Sequence, residues 1–190
     1  MIIENVLLFL TYFAVPLTFF PFFPSAFETP KMIVLATLVV SMVVYHTVKF
    51  MIKKKAELHA SAFDTPVYLL VVAYLVSIIL VAPNKMEALV DGNRGALPVL
   101  LLALSFFLLP QNKKVVLYAS VSALFVLFVS LILSYASLFK FLPATFAFMN
   151  NKAFTPLGNL IDLVFYAAFF LALSIDSIRT LHKELNFKER

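Results

Sequence analysis

The chain has 190 residues, of which 63% are hydrophobic and 13% charged, with a formal net charge of +5 at pH 7. A soluble domain carries roughly 45–50% apolar and about 25% charged residues, so the excess apolar surface here needs lipid to face, and the composition reads as an integral membrane protein. With no cysteine, disulfides, thiolate metal sites and a thiol nucleophile are excluded; the lysines cluster beside apolar segments instead of forming a basic stripe, which argues against a nucleic-acid partner.

A helix that crosses a bilayer needs about 20 apolar residues, because hydrocarbon offers the backbone no hydrogen-bond partner. Six segments fit, so the expected fold is an all-α, polytopic transmembrane helical bundle of about six spans, a single integral membrane domain over 1–190. The first, 6–20, follows Glu4 and lacks the basic start and small-residue cleavage site of a signal peptide, so it is expected to stay attached. Pro16 is expected to kink it, and Phe19-Phe20-Pro21-Phe22-Phe23-Pro24 to form an irregular aromatic exit at the interface.

The second span, 30–52, the third, 66–82, and the sixth, 156–178, each open on a Thr-Pro pair: Thr29-Pro30, Thr65-Pro66 and Thr155-Pro156. There the hydroxyl is expected to cap a free amide, and proline as the first helical residue forfeits no hydrogen bond. The fourth, 97–109, at about 1.5 Å per residue falls short of a ~30 Å core; it either extends at its ends or is re-entrant. The fifth covers 115–136. The loop from Ser137 to Phe154 carries Phe139, Phe141, Phe146, Phe148 and Phe154 with Lys140 and Lys152. It reads either as a segment lying in the interface or as a hydrophobic loop packed on the bundle. Apart from Gly158 in the first turn of the sixth, no glycine falls inside a span, so packing must rely on Ala, Ser and interlocking large side chains.

Basic residues near helix ends set orientation. Lys49, Lys53, Lys54 and Lys55 follow the second span, Lys113 and Lys114 the fourth, and Arg179, Lys183, Lys188 and Arg190 the sixth. The alternate loops carry fewer, only Lys31 in the first, Lys85 and Arg94 against Glu87 and Asp91 in the second, and Lys140 and Lys152 in the third, so the N- and C-termini are expected to be cytoplasmic.

The polar stretch from Pro83 to Ala96 stands out in this apolar chain and falls on the outer side. Within it Gly92 and Gly95 let the backbone turn sharply around Arg94. A guanidinium fork at the outer face suits bidentate contact with phosphate; the alternative is an ordinary turn in which Arg94 pairs with Asp91 or Glu87. Lys85 is a second phosphate contact or a snorkelling interfacial lysine. Asp162, placed two turns into the sixth span, is an intramembrane polar candidate whose expected partners are Arg94, Lys152 or the helix's own first turn. His46, His59 and His182 lie far apart without metal-ligand spacing, so no metal and no cofactor is expected.

Several pieces occur in an order that resembles the N-terminal half of the bacterial O-antigen ligase and polymerase superfamily of membrane glycosyltransferases. They are Phe19-Phe20-Pro21-Phe22-Phe23 leading to Pro30-Lys31, Phe63-Asp64-Thr65-Pro66, Gly92-Asn93-Arg94-Gly95, and Phe154-Thr155-Pro156-Leu157-Gly158-Asn159. The resemblance implies a multi-pass protein of the bacterial inner membrane with an outward-facing site. There, glycan on an undecaprenyl-diphosphate carrier is transferred without nucleotide sugar or metal. It carries over one residue, Arg94, as a contact to the carrier phosphate. Family members are about twice as long, and their functional outer loop lies beyond the matched region. The resemblance therefore implies a fragment, split half or degenerate member, incomplete for catalysis and partnered by membrane lipid and a C-terminal half or other membrane subunit. The alternative is a small non-enzymatic membrane subunit or transporter fragment.

Overall fold

A computed structural model describes residues 2–23, 25–54, 63–91, 95–109, 112–136, 138–141, 149 and 154–188. Among the described residues are seven α-helices and no strand: α1 (Ile2–Leu17), α2 (Glu28–Lys53), α3 (Asp64–Val81), α4 (Lys85–Val90), α5 (Ala96–Leu108), α6 (Lys113–Tyr135) and α7 (Leu160–Lys188), with a 3-10 turn at Leu138–Phe141. Three of them, α2, α3 and α6, are long and apolar enough to cross a membrane; α1, α5 and the Leu160–Ala172 part of α7 are apolar but shorter. The 26 residues of α2 reach about 39 Å at 1.5 Å each, more than a ~30 Å hydrocarbon core requires.

The helix starts differ from the Thr-Pro expectation, and the reason is physical. Pro30, Pro66 and also Pro98 are each the third residue of their helix, not the first. The first four amides of any helix lack an intrahelical acceptor, so proline is harmless throughout that turn. No threonine caps these helices: the α2 start is held by Ser25, whose hydroxyl accepts from the Glu28 amide at 3.2 Å. Thr155-Pro156 does not open a helix at all. It forms a turn closed by Gly158 N–H donating to the Thr155 carbonyl (2.9 Å), and α7 begins only at Leu160.

The helices pack as an open row. α1 lies between α2 and α6, α5 lies between α2 and α3, and α7 packs on α6 at the far flank. The α1–α6 contact is close because α6 presents Ala119, Ser120 and Ala123, all fully buried, so small side chains stand where glycine is missing. Leu127, Leu124 and Leu163 continue the seam between α6 and α7. At the other flank α3 buries only Ile78; Val67, Val71, Tyr74 and Leu75 are half-buried, and its other large apolar side chains are exposed, as lipid contact demands.

α5 packs along α2. Leu101 packs against Leu35 and Val39 of α2, Leu109 against Leu8 and Met42, and Asn112, just beyond, donates to Asn5 at 3.2 Å. At this same end Lys49 of α2 forms an ion pair with Glu4 of α1 at 2.7 Å. The row therefore has a Lys49 end and, opposite, a Lys31 end where α1 finishes and α2 and α7 begin.

Pro16 is the penultimate residue of α1 and has no amide to offer the Tyr12 carbonyl, its i−4 partner. The carbonyl is satisfied across helices: the Tyr166 hydroxyl of α7 donates to Tyr12 O at 2.9 Å, the kind of rescue a proline in a lipid-embedded helix requires. The Tyr12 ring also stacks on Phe169 with centroids 6.4 Å apart. The buried Ser120 hydroxyl lies beside the same tyrosine but meets no hydrogen-bond geometry.

Tyr166→Phe should therefore cost about 1–2 kcal/mol of stability, because it leaves a buried carbonyl unsatisfied. In a Pro16→Ala background, where residue 16 regains its amide, the same substitution should cost less than about 0.5 kcal/mol. Reversible unfolding in mixed micelles measures both arms, and equal costs in the two backgrounds would refute the assignment.

Candidate functional site at the Lys31 end

The loop leaving α1 is closed by Phe20 N–H donating to Ala26 O at 2.8 Å, which returns the chain directly into α2. Lys31 then falls at the fourth position of α2, one turn after Phe27, and its ammonium lies 5.8 Å from the Phe27 ring centroid. This i, i+4 spacing sets ammonium and ring on one face. The ammonium donates to the Leu157 carbonyl at 2.7 Å, inside the Thr155–Gly158 turn that precedes α7. The carboxylates of Asp162 and Glu28 both act on this ammonium through space.

The turn is shaped to receive Lys31. Gly158 sits at φ +115, a left-handed conformation that side chains rarely adopt, and a Cβ there would lie 3.4 Å from the Phe27 ring. Thr155 is fully buried, its hydroxyl donating to Asn159 O at 3.2 Å. Asn159 in turn caps α7 by accepting from the Asp162 amide at 2.8 Å. Beneath the turn, Phe154 gathers three rings: Phe19 at 5.5 Å edge-on, Phe139 at 5.8 Å edge-on and Phe27 at 6.2 Å. Of the 137–154 loop, Phe154 packs on Phe19 and Phe27 of the bundle, and Phe139 packs on Phe154.

The residues singled out from sequence are distributed as follows. Asp162 is exposed and in the first turn of α7, not two turns inside a span, because that helix starts a turn later than its Thr-Pro pair. Its charge is placed where the helix dipole favours it, on the side of the Lys31 ammonium. Lys85 opens α4 and is exposed. That short helix packs on α3 and α5, so Lys85 and Asp162 belong to opposite flanks of the row. Gly95 is buried at the α5 start with its N–H donating to Asp91 O at 2.8 Å. A Cβ at Gly95 would lie 2.3 Å from that oxygen, so this glycine is required by close backbone approach, not by a left-handed turn. Arg94 and Gly92 lie outside the described residues.

Lys31 was missed by sequence reasoning, which counted it only as a loop charge. The Phe27–Lys31 spacing was a readable signal; the Leu157 carbonyl, 126 residues away, was not. Chemically, the arrangement is an ammonium fixed by one carbonyl beside an aromatic cluster, with carboxylates nearby to balance it. It suits binding of an anionic oxygen. Among the described residues no group of three His, Asp or Glu side chains can hold a metal ion.

Because Lys31 bridges two segments while Lys85 is solvated, Lys31→Met should lower the unfolding free energy of the detergent-purified protein by about 1–2 kcal/mol. Lys85→Met should change it by less than about 0.5 kcal/mol. Thermal unfolding of both variants checks this, and a neutral Lys31→Met would mean the contact does not hold the turn. Comparison of the chain with family models, curated proteins and solved structures finds no match, so function rests on the site's chemistry.

Proposed function

We propose that the chain is a multi-pass protein of the bacterial cytoplasmic membrane, crossed in turn by α1, α2, α3, α5, α6 and α7 with both termini inside. On this reading its outward Lys31 end engages the diphosphate of a lipid-linked glycan, as an O-antigen ligase-like membrane protein. The observation that carries it is the Lys31 ammonium, anchored on Leu157 O at 2.7 Å and backed by the Phe27 ring. An ammonium among rings at the end of apolar helices matches an amphiphile whose phosphate sits at the interface and whose isoprenoid tail lies below. Arg94, by resemblance, supplies a further phosphate contact. The role assigned is carrier binding; glycan transfer would draw on a further membrane chain.

Orientation is supported by charge. Among the described residues of the ends of α1 to α6, Lys49, Lys53, Lys54, Lys113 and Lys114 belong to the Lys49 end, against Lys31, Lys85 and Lys140 at the other. The chain has no native cysteine, so single-cysteine labelling has no background. A membrane-impermeant maleimide should reach Met86→Cys from outside intact cells and miss Lys54→Cys; the reverse pattern would invert the topology and remove the carrier-glycan reading. With the purified chain, Lys31→Gln and Arg94→Ala should each weaken binding of undecaprenyl diphosphate about tenfold. Unchanged affinity in both would sink the binding role.

A second reading, a non-enzymatic subunit of a larger membrane assembly, is favoured by one observation. Only 6% of the α3 apolar window is buried, which leaves a whole helix surface for another membrane chain. Site-specific crosslinking from exposed Tyr68 or Ile79 to a second polypeptide in native membranes would favour it; crosslinking to lipid alone would not.

A further inference from the structure

We propose that the groove floored by α1 and walled by α5 on one side and α6 and α7 on the other binds one acyl chain of an anionic phospholipid, with the lipid phosphate at Lys113. The groove has a volume of about 490 Å³, and Lys113 lines it at the Lys49 end. From Leu8 to Pro16 it follows α1 for about 12 Å, with Lys113 at its Leu8 end. An apolar trough with a lysine at its mouth matches an amphiphile that has an anionic head and an extended hydrocarbon chain.

The lining has the chemistry of an acyl site. Leu8, Val15, Leu102, Phe106 and Val116 present carbon, and of the three hydroxyls among the lining residues (Thr11, Tyr12 and Ser105) the two aliphatic ones are committed to their own helices. Thr11 donates to Leu7 O at 2.8 Å and Ser105 to Leu102 O at 2.7 Å. A polar solute would find few donors within the groove, whereas a hydrocarbon chain loses nothing there. Charge supplies the headgroup. Lys113 and Lys114 stand side by side at the start of α6, at the end that also carries Lys53 and Lys54. A phosphate there lies at interface depth with its chain running inward along the groove. The inference holds whichever end faces the cytoplasm.

Because the chain contains no tryptophan, a single introduced Trp reports locally. Phe106→Trp places it in the groove and Tyr68→Trp on the lipid-exposed face of α3. The full-length protein is reconstituted in phosphatidylcholine bilayers, and phosphatidylglycerol or phosphatidylcholine with brominated chains is titrated in. Phe106→Trp should reach half-quenching at a several-fold lower mole fraction of the brominated phosphatidylglycerol, and Tyr68→Trp should show no preference. Adding Lys113→Gln to Phe106→Trp should abolish the preference while leaving the helical circular dichroism unchanged. Equal quenching of Phe106→Trp by both lipids, a preference that survives Lys113→Gln, or protection from both lipids by a protein neighbour would each overturn the proposal.

Discussion

A backbone carbonyl without its donor has no remedy in hydrocarbon except a neighbouring helix, and Pro16 creates one such carbonyl at Tyr12. The Tyr166 hydroxyl resolves it at 2.9 Å, and much of the architecture follows. The bond requires α7 to reach α1, although its main neighbour in the row is α6. That reach brings the α7 N-terminus over the α1–α2 connection, where the Leu157 carbonyl meets Lys31. A proline that would weaken an isolated helix thus makes α1 depend on the last helix of the chain, and the Lys31 site is assembled by the same approach.

The other interfaces show how a chain with three glycines packs helices closely. Ala119, Ser120 and Ala123 let α1 settle on α6, which brings the backbones near enough for van der Waals contact to replace the hydrophobic effect that lipid cannot provide. Glycine is retained where backbone approach or conformation leaves no alternative: Gly95 against Asp91 O, and Gly158 at positive φ above Phe27. At the end of α2, by contrast, Lys54 itself takes the left-handed cap at φ 51 and donates to Phe50 O. That small strain is acceptable at an exposed helix terminus.

The apolar runs of the sequence correspond to six of the helices, because hydropathy over about 20 residues is a local quantity. Their ends were less legible. Proline was read as a first helical residue, while three amides around it are equally free of acceptors, so the helices begin two residues earlier. α4 has no apolar period to betray it, although Asn84 and Glu87 form a readable capping pair, with the Glu87 amide donating to Asn84 Oδ1 at 3.3 Å and Asn84 Nδ2 donating to the Glu87 carboxylate at 3.1 Å. Pro16 announced a broken hydrogen bond but not its repair, which comes from 154 residues away. The site was least legible of all. Lys31 looked like a topology charge, and its role depends on where the 154–159 turn lands, a tertiary fact that no local pattern encodes.

The two ends of the row are held by different kinds of force, and this bears on where a ligand can act. Within nine residues α1 is tied to three helices by directional bonds: Glu4 to Lys49 of α2, Asn5 to Asn112 before α6, and Tyr12 O to Tyr166 of α7. These fix the depth and rotation of α1. Beyond Pro16 the ties change character. Phe19, Phe27, Phe139 and Phe154 meet ring to ring at 5.5–6.3 Å, contacts that tolerate sliding and tilting at little cost. At that cluster the Lys31 ammonium adds a directional bond, to the Leu157 carbonyl. An end anchored by fixed bonds is thus opposed by an adjustable aromatic collar that carries an ammonium. On the proposed reading the carrier diphosphate is met at that collar, while the fixed bonds of the Lys49 end hold α1 beside the groove that ends at Lys113.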